Sequence, residues 1–536
     1  MSTLRASLST VLYHLCYRPL RIAIYLSIRL YLLWVVLAFF VAGILLVLVD
    51  CHRRCCWPPF RLDRSATRRR RRTVLITGMH TAKGLTLARA CHRDGHRVIS
   101  ADFGFDFGLG FLGFKIPSVG RFSRAKDKFY TIPAVGTQED YAAAIRSIIM
   151  AENVDVWVPC TKSVFDPDPD FTAVNPIWDA YAAQTVQERN MACVCVQSDV
   201  TTTDMLSDPE HFLKTTFQLG GDLRVPETHT IASRDDLERH LYRIHSKTPG
   251  RKFVLKQKSS PSAYDPTFRQ DPADDYLLLP PDDVEEIDDV LDRYDLSAQS
   301  PCVLQEYISC DPPRTLGNRS FRTHCLVVRG SVVVFLACKW GKSEAVYQQY
   351  DGEPAESPYT EAMLAFTRQL LSKWSPQTRR LTGHFSLDFI VDNTHPSRPI
   401  KERLYAISCA PRVRTAVSLL SESVPAMSAM VGAYLSVLDD PQDQYAAQRV
   451  VVGLPAGARQ RYQVGRDLLN YFASYPAMQV VKIVWGLPKT VSIRICLKHA
   501  FRHITESQDA TFVIWDPLPF FLHQVLGFLR QESPTF

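Results

Sequence analysis

The stretch from Gly383 to Asp392 alternates strictly, and this pattern limits the fold more than any other feature of the 536-residue chain. Alternate residues of a strand share a face, so Phe385, Leu387, Phe389 and Val391 point one way while Ser386, Asp388 and Ile390 point the other. The strand therefore belongs to a sheet with one face packed on a core. An acid in the middle of such a strand is costly unless it is paired or bound to a cation. The next strand, Tyr405 to Ala410, places Ala406, Ser408 and Ala410 on one face. If the two strands pair antiparallel, Asp388 meets residues 408 and 410 in one pocket, an arrangement able to hold magnesium through oxygen ligands, with Asp388 and Ser408 as the metal candidates. Arg412 follows on the rigid Pro411, where a guanidinium can fork onto a phosphate or carboxylate.

Two earlier strands carry further candidates. Phe253-Val254-Leu255-Lys256 ends on Lys256, which can aim an ammonium at phosphates. Leu304-Gln305-Glu306-Tyr307-Ile308 ends on Gln305, Glu306, Tyr307 and Ile308, whose backbone can meet the edge of an adenine between apolar walls. Between these strands and Asp388, Phe321 to Lys339 reads as a hairpin turning at Arg329-Gly330.

The region before them has another character. Val74-Leu75-Ile76, a helical run from Lys83 to His92, and Arg97 to Asp102 form a β-α-β opening of a parallel, doubly wound sheet. Further strands are expected at Asp155 to Pro159 and Cys193 to Val196. Thr77-Gly78 and Gly84 give a superficial dinucleotide fingerprint, but Ala82 stands where its middle glycine would be. A nicotinamide oxidoreductase would also leave everything after residue 205 unexplained. The alternative is a Rossmann-like lead domain that binds no dinucleotide. Residues 262–295, loaded with Asp and Pro, read as a mobile loop.

At the N-terminus, Leu30 to Val49 is free of formal charge and long enough, at ~1.5 Å per residue, to cross ~30 Å of hydrocarbon. Nine arginines between Arg53 and Arg72 follow it, against Arg5, Arg18, Arg21 and Arg29 before it. The positive-inside rule then predicts a single-pass membrane protein with its large C-terminal part in the cytosol. The fourteen cysteines fit that side as reduced thiols. Cys51, Cys55 and Cys56 lie where palmitoylation or plain interfacial burial are both open readings. The basic block, with Asp63, accounts for +8 of the formal +7 charge, so the remainder is nearly neutral and argues against a nucleic-acid partner. The expected organisation is an anchor and basic linker over 1–72, a Rossmann-like domain over 73–200, a two-subdomain unit over 201–430 and a mostly helical region over 431–536. Within that last part Val513 to Leu529 is apolar, open to burial as a helix or to lying on a membrane surface.

Taken in order, the stretches ending at Lys256, Ile308, Ile390 and Arg412 carry a resemblance. So do the N-terminal anchor, Val74 to Gly78, Leu87-Ala88-Arg89-Ala90 and Gly95 to Ile99. The chain resembles the membrane-anchored ATP-grasp enzymes related to mycosporine-glycine synthase, over roughly three quarters of its length. The resemblance implies an α/β plus α+β fold: a Rossmann-like lead domain, then a two-subdomain ATP-grasp fold, behind an N-terminal transmembrane helix. It implies ATP and magnesium, with Lys256 on phosphate, Glu306 to Ile308 at the adenine, Asp388 on the metal and Arg412 on the transferred phosphoryl group. It also implies a ligase that phosphorylates a carboxylate or enol oxygen for attack by an amine, in small-molecule or secondary-metabolite biosynthesis. The chain departs from the pattern in places. The family's Glu-Cys-Asn-Pro-Arg reads Ser408-Cys409-Ala410-Pro411-Arg412, and its Asp-Lys reads Asp208-Pro209, with Lys214 a conceivable substitute. Gln257-Lys258-Ser259-Ser260 is no glycine-rich loop, and Asp311 is the nearest candidate for a ribose-binding acid. The second reading is therefore a catalytically impaired ATP-grasp fold kept as a nucleotide-binding or scaffolding protein.

Overall fold

The computed structural model describes residues 71–103, 118–132, 136–161, 174–247, 251–257, 278–279, 301–308, 320–342, 348–354, 356–374, 381–438, 451–452, 461–463 and 508–523, plus positions 34, 38, 41 and 45. Trp34, Ala38, Val41 and Leu45, spaced as one face of a helix, are helical and exposed. The rest of the Leu30–Val49 span lies outside the described residues, as do Cys51, Cys55, Cys56, Asp311, Lys258 to Ser260, most of the Asp- and Pro-rich loop and Phe528. Among the described residues no helix is long and apolar enough to cross a membrane.

The lead domain contains β1 (Thr73–Thr77), α1 (Ala82–Arg93), β2 (Arg97–Phe103), β3 (Lys128–Ile132), α2 (Gln138–Glu152), β4 (Val156–Val158), α3 (Val174–Glu188) and β5 (Val194–Cys195). Its five strands are all parallel in the order β3-β2-β1-β4-β5. The order reverses between β1 and β4, so a crevice opens at their C-terminal ends. The glycines there serve packing. A Cβ on Gly78, whose φ is +76°, would meet the Cys160 carbonyl oxygen at 2.2 Å, and one on Gly84 would meet the Gly78 carbonyl oxygen at 2.3 Å. Asp102, at the end of β2, is taken by Ser118 Oγ at 2.6 Å and His80 Nδ1 at 3.1 Å. Close backbone packing accounts for the glycines without a dinucleotide.

Two helices, α4 (Val200–Ser207) and α5 (Pro209–Leu219), lead out of this domain; Asp199 caps the first and Asp208 the second. A four-stranded antiparallel sheet follows, ordered β6-β9-β7-β8, from β6 (Thr228–Ile231), β7 (Phe253–Gln257), β8 (Leu278–Leu279) and β9 (Cys302–Glu306). The helix α6 (Arg234–Lys247) covers one face, burying Leu237 and Leu241 against Phe253, Leu255, Cys302 and Leu304. Leu278–Leu279, inside the stretch expected to be loop, forms the edge strand because both residues are apolar and pair with Val254 and Phe253.

The largest sheet is built on β10 (Ser320–Val328) and β11 (Ser331–Lys342), whose two-residue turn puts Arg329 at φ 50° and Gly330 at φ 79°. Such paired positive values match the strand twist. With β12 (Gln348–Gly352), β13 (Gly383–Val391) and β14 (Leu404–Ala410) the order runs β14-β13-β10-β11-β12. Short strands β15 (Val451–Val452), β16 (Arg461–Gln463) and β17 (Gln508–Asp509) extend it, so the region expected to be mostly helical also supplies sheet edges. Its outer face packs Phe385, Leu387 and Phe389 on α7 (Pro358–Trp374). Its inner face shares one core with the lead domain and α8 (Val424–Ser436): Leu326, Val334 and Leu336 join Val74, Leu85 and Met430. Phe520 and Phe521 are buried in the described half of the apolar C-terminal stretch. All eight described cysteines are free thiols.

A buried polar chain crosses that inner face. Ser386 Oγ lies 3.0 Å from His324 Nδ1, His324 Nε2 lies 3.0 Å from His384 Nδ1, and His384 Nε2 lies 2.8 Å from the Tyr434 hydroxyl. Burial, then the charges of Arg414 and Lys83, pushes His324 down to about 3; burial also pushes His384 well below its usual range. Both imidazoles stay neutral in the fold but protonate in the unfolded chain below pH ~6.5. Stability is therefore complete above that value and falls with pH, by about 2 kcal/mol per histidine between pH 7 and 5. Urea denaturation at those two pH values should show this loss, and a His324→Gln variant should lose roughly half of it. Equal pH dependence in the two proteins would contradict the assignment.

Candidate functional site

The strand pair β13–β14 forms with the antiparallel register that the alternation predicts: Asp388 faces Ser408 and Ser386 faces Ala410. Its register shifts between Asp388 and Phe389, leaving Ile407 as the bulged residue. Ala406 is thereby moved to the outer core beside Phe389, and Ile407 joins Ile390 on the inner side. The three residues 406, 408 and 410 therefore do not share a face. A bulge adds one residue to one strand and reverses the phase of what precedes it.

Asp388 is not open to a metal. Arg322 Nε donates to one carboxylate oxygen at 2.7 Å and Arg322 Nη2 to the other at 3.2 Å. Arg414 Nη1 lies 3.3 and 3.0 Å from the same two oxygens, and Ser408 Oγ donates at 2.8 Å. Burial alone would push this carboxyl up, but the two guanidinium charges, the Arg322 bond and the Ser408 bond hold it at about 2. Two cations on one anion leave the pocket positive, and Arg414 Nε is buried without a partner. This donor set suits an anion and does not fit a divalent cation on Asp388 and Ser408. No cluster of three or more metal-binding side chains occurs among the described residues.

Arg412 is buried, and its charge, after that of Lys83, acts on Asp179 of the lead domain. Lys83, near the start of α1, donates to the Val413 carbonyl at 3.0 Å. Tyr141 donates to Asp179 at 2.6 Å, yet burial pushes that carboxyl up to about 7. The end of β14 is thus seated on the crevice of the parallel sheet, where Gln197 also binds the Pro411 carbonyl at 3.2 Å. A buried acid titrating near neutrality between two cations in a crevice is a functional candidate.

The small sheet approaches from the other side. Ile308, just beyond β9, packs on Ile390 and Ile407, next to Asp388 and Ser408 in the chain. Lys256 and Gln305 are buried on the face of the small sheet away from α6, with Lys256 Nζ 3.4 Å from Gln305 Oε1. The Gln305 amide nitrogen has no partner. Glu306 is held by Arg251 at 2.6 Å and accepts the Glu227 N–H at 3.1 Å, so its side chain braces the sheet. The Glu306 and Tyr307 N–H groups pair with the Glu227 and Lys252 carbonyls, both at 2.8 Å.

The structure therefore brings Ile308, Asp388, Ser408 and Arg414 to one face and sets Arg412 toward the lead domain. Sequence reasoning missed Arg322, Arg414, Lys83 and Asp179. Arg322 was legible in principle: the same alternation that faces Asp388 inward faces Arg322 inward on a neighbouring strand. Lys83 and Asp179 carried no local signal.

No protein-family model matches the sequence, and no curated protein matches it. Solved structures similar in shape include the N5-carboxyaminoimidazole synthetase of Staphylococcus aureus, at 14% identity and TM-score 0.42, with 68% of this chain and 77% of that one covered. The L-amino acid ligase of Bacillus licheniformis matches at 14% identity and TM-score 0.41, covering 70% and 75%. The carboxyaminoimidazole ribonucleotide synthase of Aspergillus clavatus, complexed with ATP, matches at 10% identity and TM-score 0.44, covering 76% and 86%.

Removing one partner of a buried ion pair strands the other charge, at a cost of about 3–5 kcal/mol. Asp388→Ala should cost at least that, because two guanidinium groups lose their shared anion. Chemical denaturation of the variant should show the loss; unchanged stability would mean that the three side chains do not meet.

Proposed function

We propose that this chain is an ATP-dependent ligase of the ATP-grasp type, which phosphorylates a carboxylate or enol oxygen and lets an amine displace the phosphate at the carbon that bears it, forming a C–N bond. The observation that carries this reading is the approach of the β9 end onto the β13–β14 pair, with that pair seated on the crevice of a parallel lead domain. Nucleotide would enter between the two antiparallel sheets, its base by Glu306 to Ile308 and its phosphates toward Lys256, Arg414 and Arg412. The acceptor oxygen attacks the terminal phosphorus, the bond to ADP breaks, and the amine then displaces phosphate. In this reading Arg412 and Lys83 neutralise charge that grows on the transferred group. Magnesium accompanies ATP as the nucleotide's own ion; no residue here is assigned to hold it.

A second reading has a specific observation behind it. Asp388 is tied by two arginines, which favours a nucleotide-binding protein with impaired transfer. Both readings expect ATP to bind with little help from metal. Titration of the full chain in detergent with a fluorescent ATP analogue should give dissociation constants within about threefold with magnesium and with EDTA, a difference below ~0.7 kcal/mol. Failure to bind in both conditions removes the nucleotide assignment. ADP release that depends on an added amine and drops by about 100-fold in Arg412→Ala supports the ligase; binding without any release supports the second reading.

The proposal extends to location: a single-pass anchor at Leu30 to Val49 with the catalytic part on the cytosolic side, where small-molecule biosynthesis would draw its substrates. The full chain should then stay with membranes through carbonate extraction while its C-terminal part remains open to cytosolic protease. Release by carbonate would remove the anchor.

A further inference from the structure

A partly open cavity lies apart from this site. A cavity of about 190 Å³ is bounded by α1, the start of α8 and the segment following β17. One water needs only ~10–15 Å³, so the space admits a small organic molecule. Met427, Phe512, Val513 and Trp515 form apolar walls, with Trp515 stacked on His92 at 5.8 Å.

Two arginines of α1 also line it. Arg89 is buried and gives Nε to Asp516 at 2.9 Å and Nη2 to the Thr511 and Asp516 carbonyls at 3.0 and 2.9 Å. Its Nη1 has no partner, nor do Nε and Nη2 of Arg93, which comes only within 3.9 Å of Asp94. A buried guanidinium N–H left unpaired costs free energy, so these donors point to an acceptor that belongs there. Charge and donors together select its class. Asp516 balances Arg89, and Asp509, whose Oδ1 accepts from the Thr511 N–H and hydroxyl at 2.7 and 2.6 Å, is pushed up by burial to about 6. Asp509 is still mostly ionised at pH 7 and Asp94 lies 3.9 Å from Arg93, so the two guanidinium groups are close to balanced. Their three unpaired N–H donors suit a singly charged, two-oxygen acceptor better than a dianion.

We propose that this cavity binds a small monocarboxylate with an apolar body, its carboxylate on Arg89 Nη1 and the Arg93 guanidinium and its body against Met427, Phe512 and Trp515. The place differs from the candidate nucleotide site: Arg89 follows Lys83 by six positions on α1, about 9 Å along the axis at ~1.5 Å per residue.

Calorimetric titration of the full chain with benzoate, and separately with inorganic phosphate at matched ionic strength, tests this. Benzoate should bind at millimolar concentration or tighter, and phosphate at least tenfold more weakly. Arg93→Met, which breaks no hydrogen bond of the fold, should weaken benzoate at least tenfold, and Arg93→Lys should restore part of it. No benzoate binding, or equal binding to Arg93→Met, would overturn the site. Phosphate binding as well as benzoate would overturn the ligand class.

Discussion

The carboxylate of Asp388 is the charged centre that three neighbouring strands of the large sheet share. Arg322 comes from β10, Ser408 from β14 and Arg414 from the turn that follows; the two arginines reach both oxygens and Ser408 reaches one. Taking three charges out of water is expensive, and the gain comes only when geometry and hydrogen bonding are both good. Here both Asp388 oxygens are saturated, and these contacts fit the register in which Asp388 faces Arg322 on β10 and Ser408 on β14. Without that register, Ile407 and Ile390 would not present a joint surface to Ile308, and Arg412 would not be delivered to the crevice of the lead domain.

The same cluster shapes the chemistry available. A pocket that carries its own fixed cations needs no imported ion to attract phosphate, and guanidinium charge does not vary across the physiological pH range. Asp179 supplies the variable element, because burial pushes its carboxyl up to about 7, where its charge can change near neutral pH.

Much of this architecture was legible in the chain. The β-α-β opening, the Arg329-Gly330 hairpin and the pairing of Asp388 with residue 408 follow from period-two alternation and turn chemistry, both local in sequence. The bulge at Ile407 was not, since nothing in Ala406-Ile407-Ser408 distinguishes a straight strand from a kinked one. The role of the arginines on Asp388 is a different matter: alternation faces Arg322 inward beside Asp388 but does not assign it as the partner. The need for a cation was evident from a buried acid, but the sequence does not say whether that cation is a metal or a side chain 66 residues away. Arg89 and Asp516 are separated by 427 positions, and contacts of that kind leave no periodic trace.

The Ser386–His324–His384–Tyr434 chain has one property that its members lack singly. Each neutral imidazole carries one proton, so the nitrogen that donates on one side obliges the other to accept. If the serine hydroxyl donates, every later bond points toward Tyr434; if the tyrosine donates, every bond points back. The row thus has two proton orderings, with nothing in between at equal hydrogen bonding. Starting from the first ordering, a new hydrogen-bond donor to the tyrosine hydroxyl on α8 would favour the second and so reverse the dipole of the whole row. That reversal would turn the Ser386 hydroxyl from donor to acceptor two residues from Asp388, with no heavy atom moving.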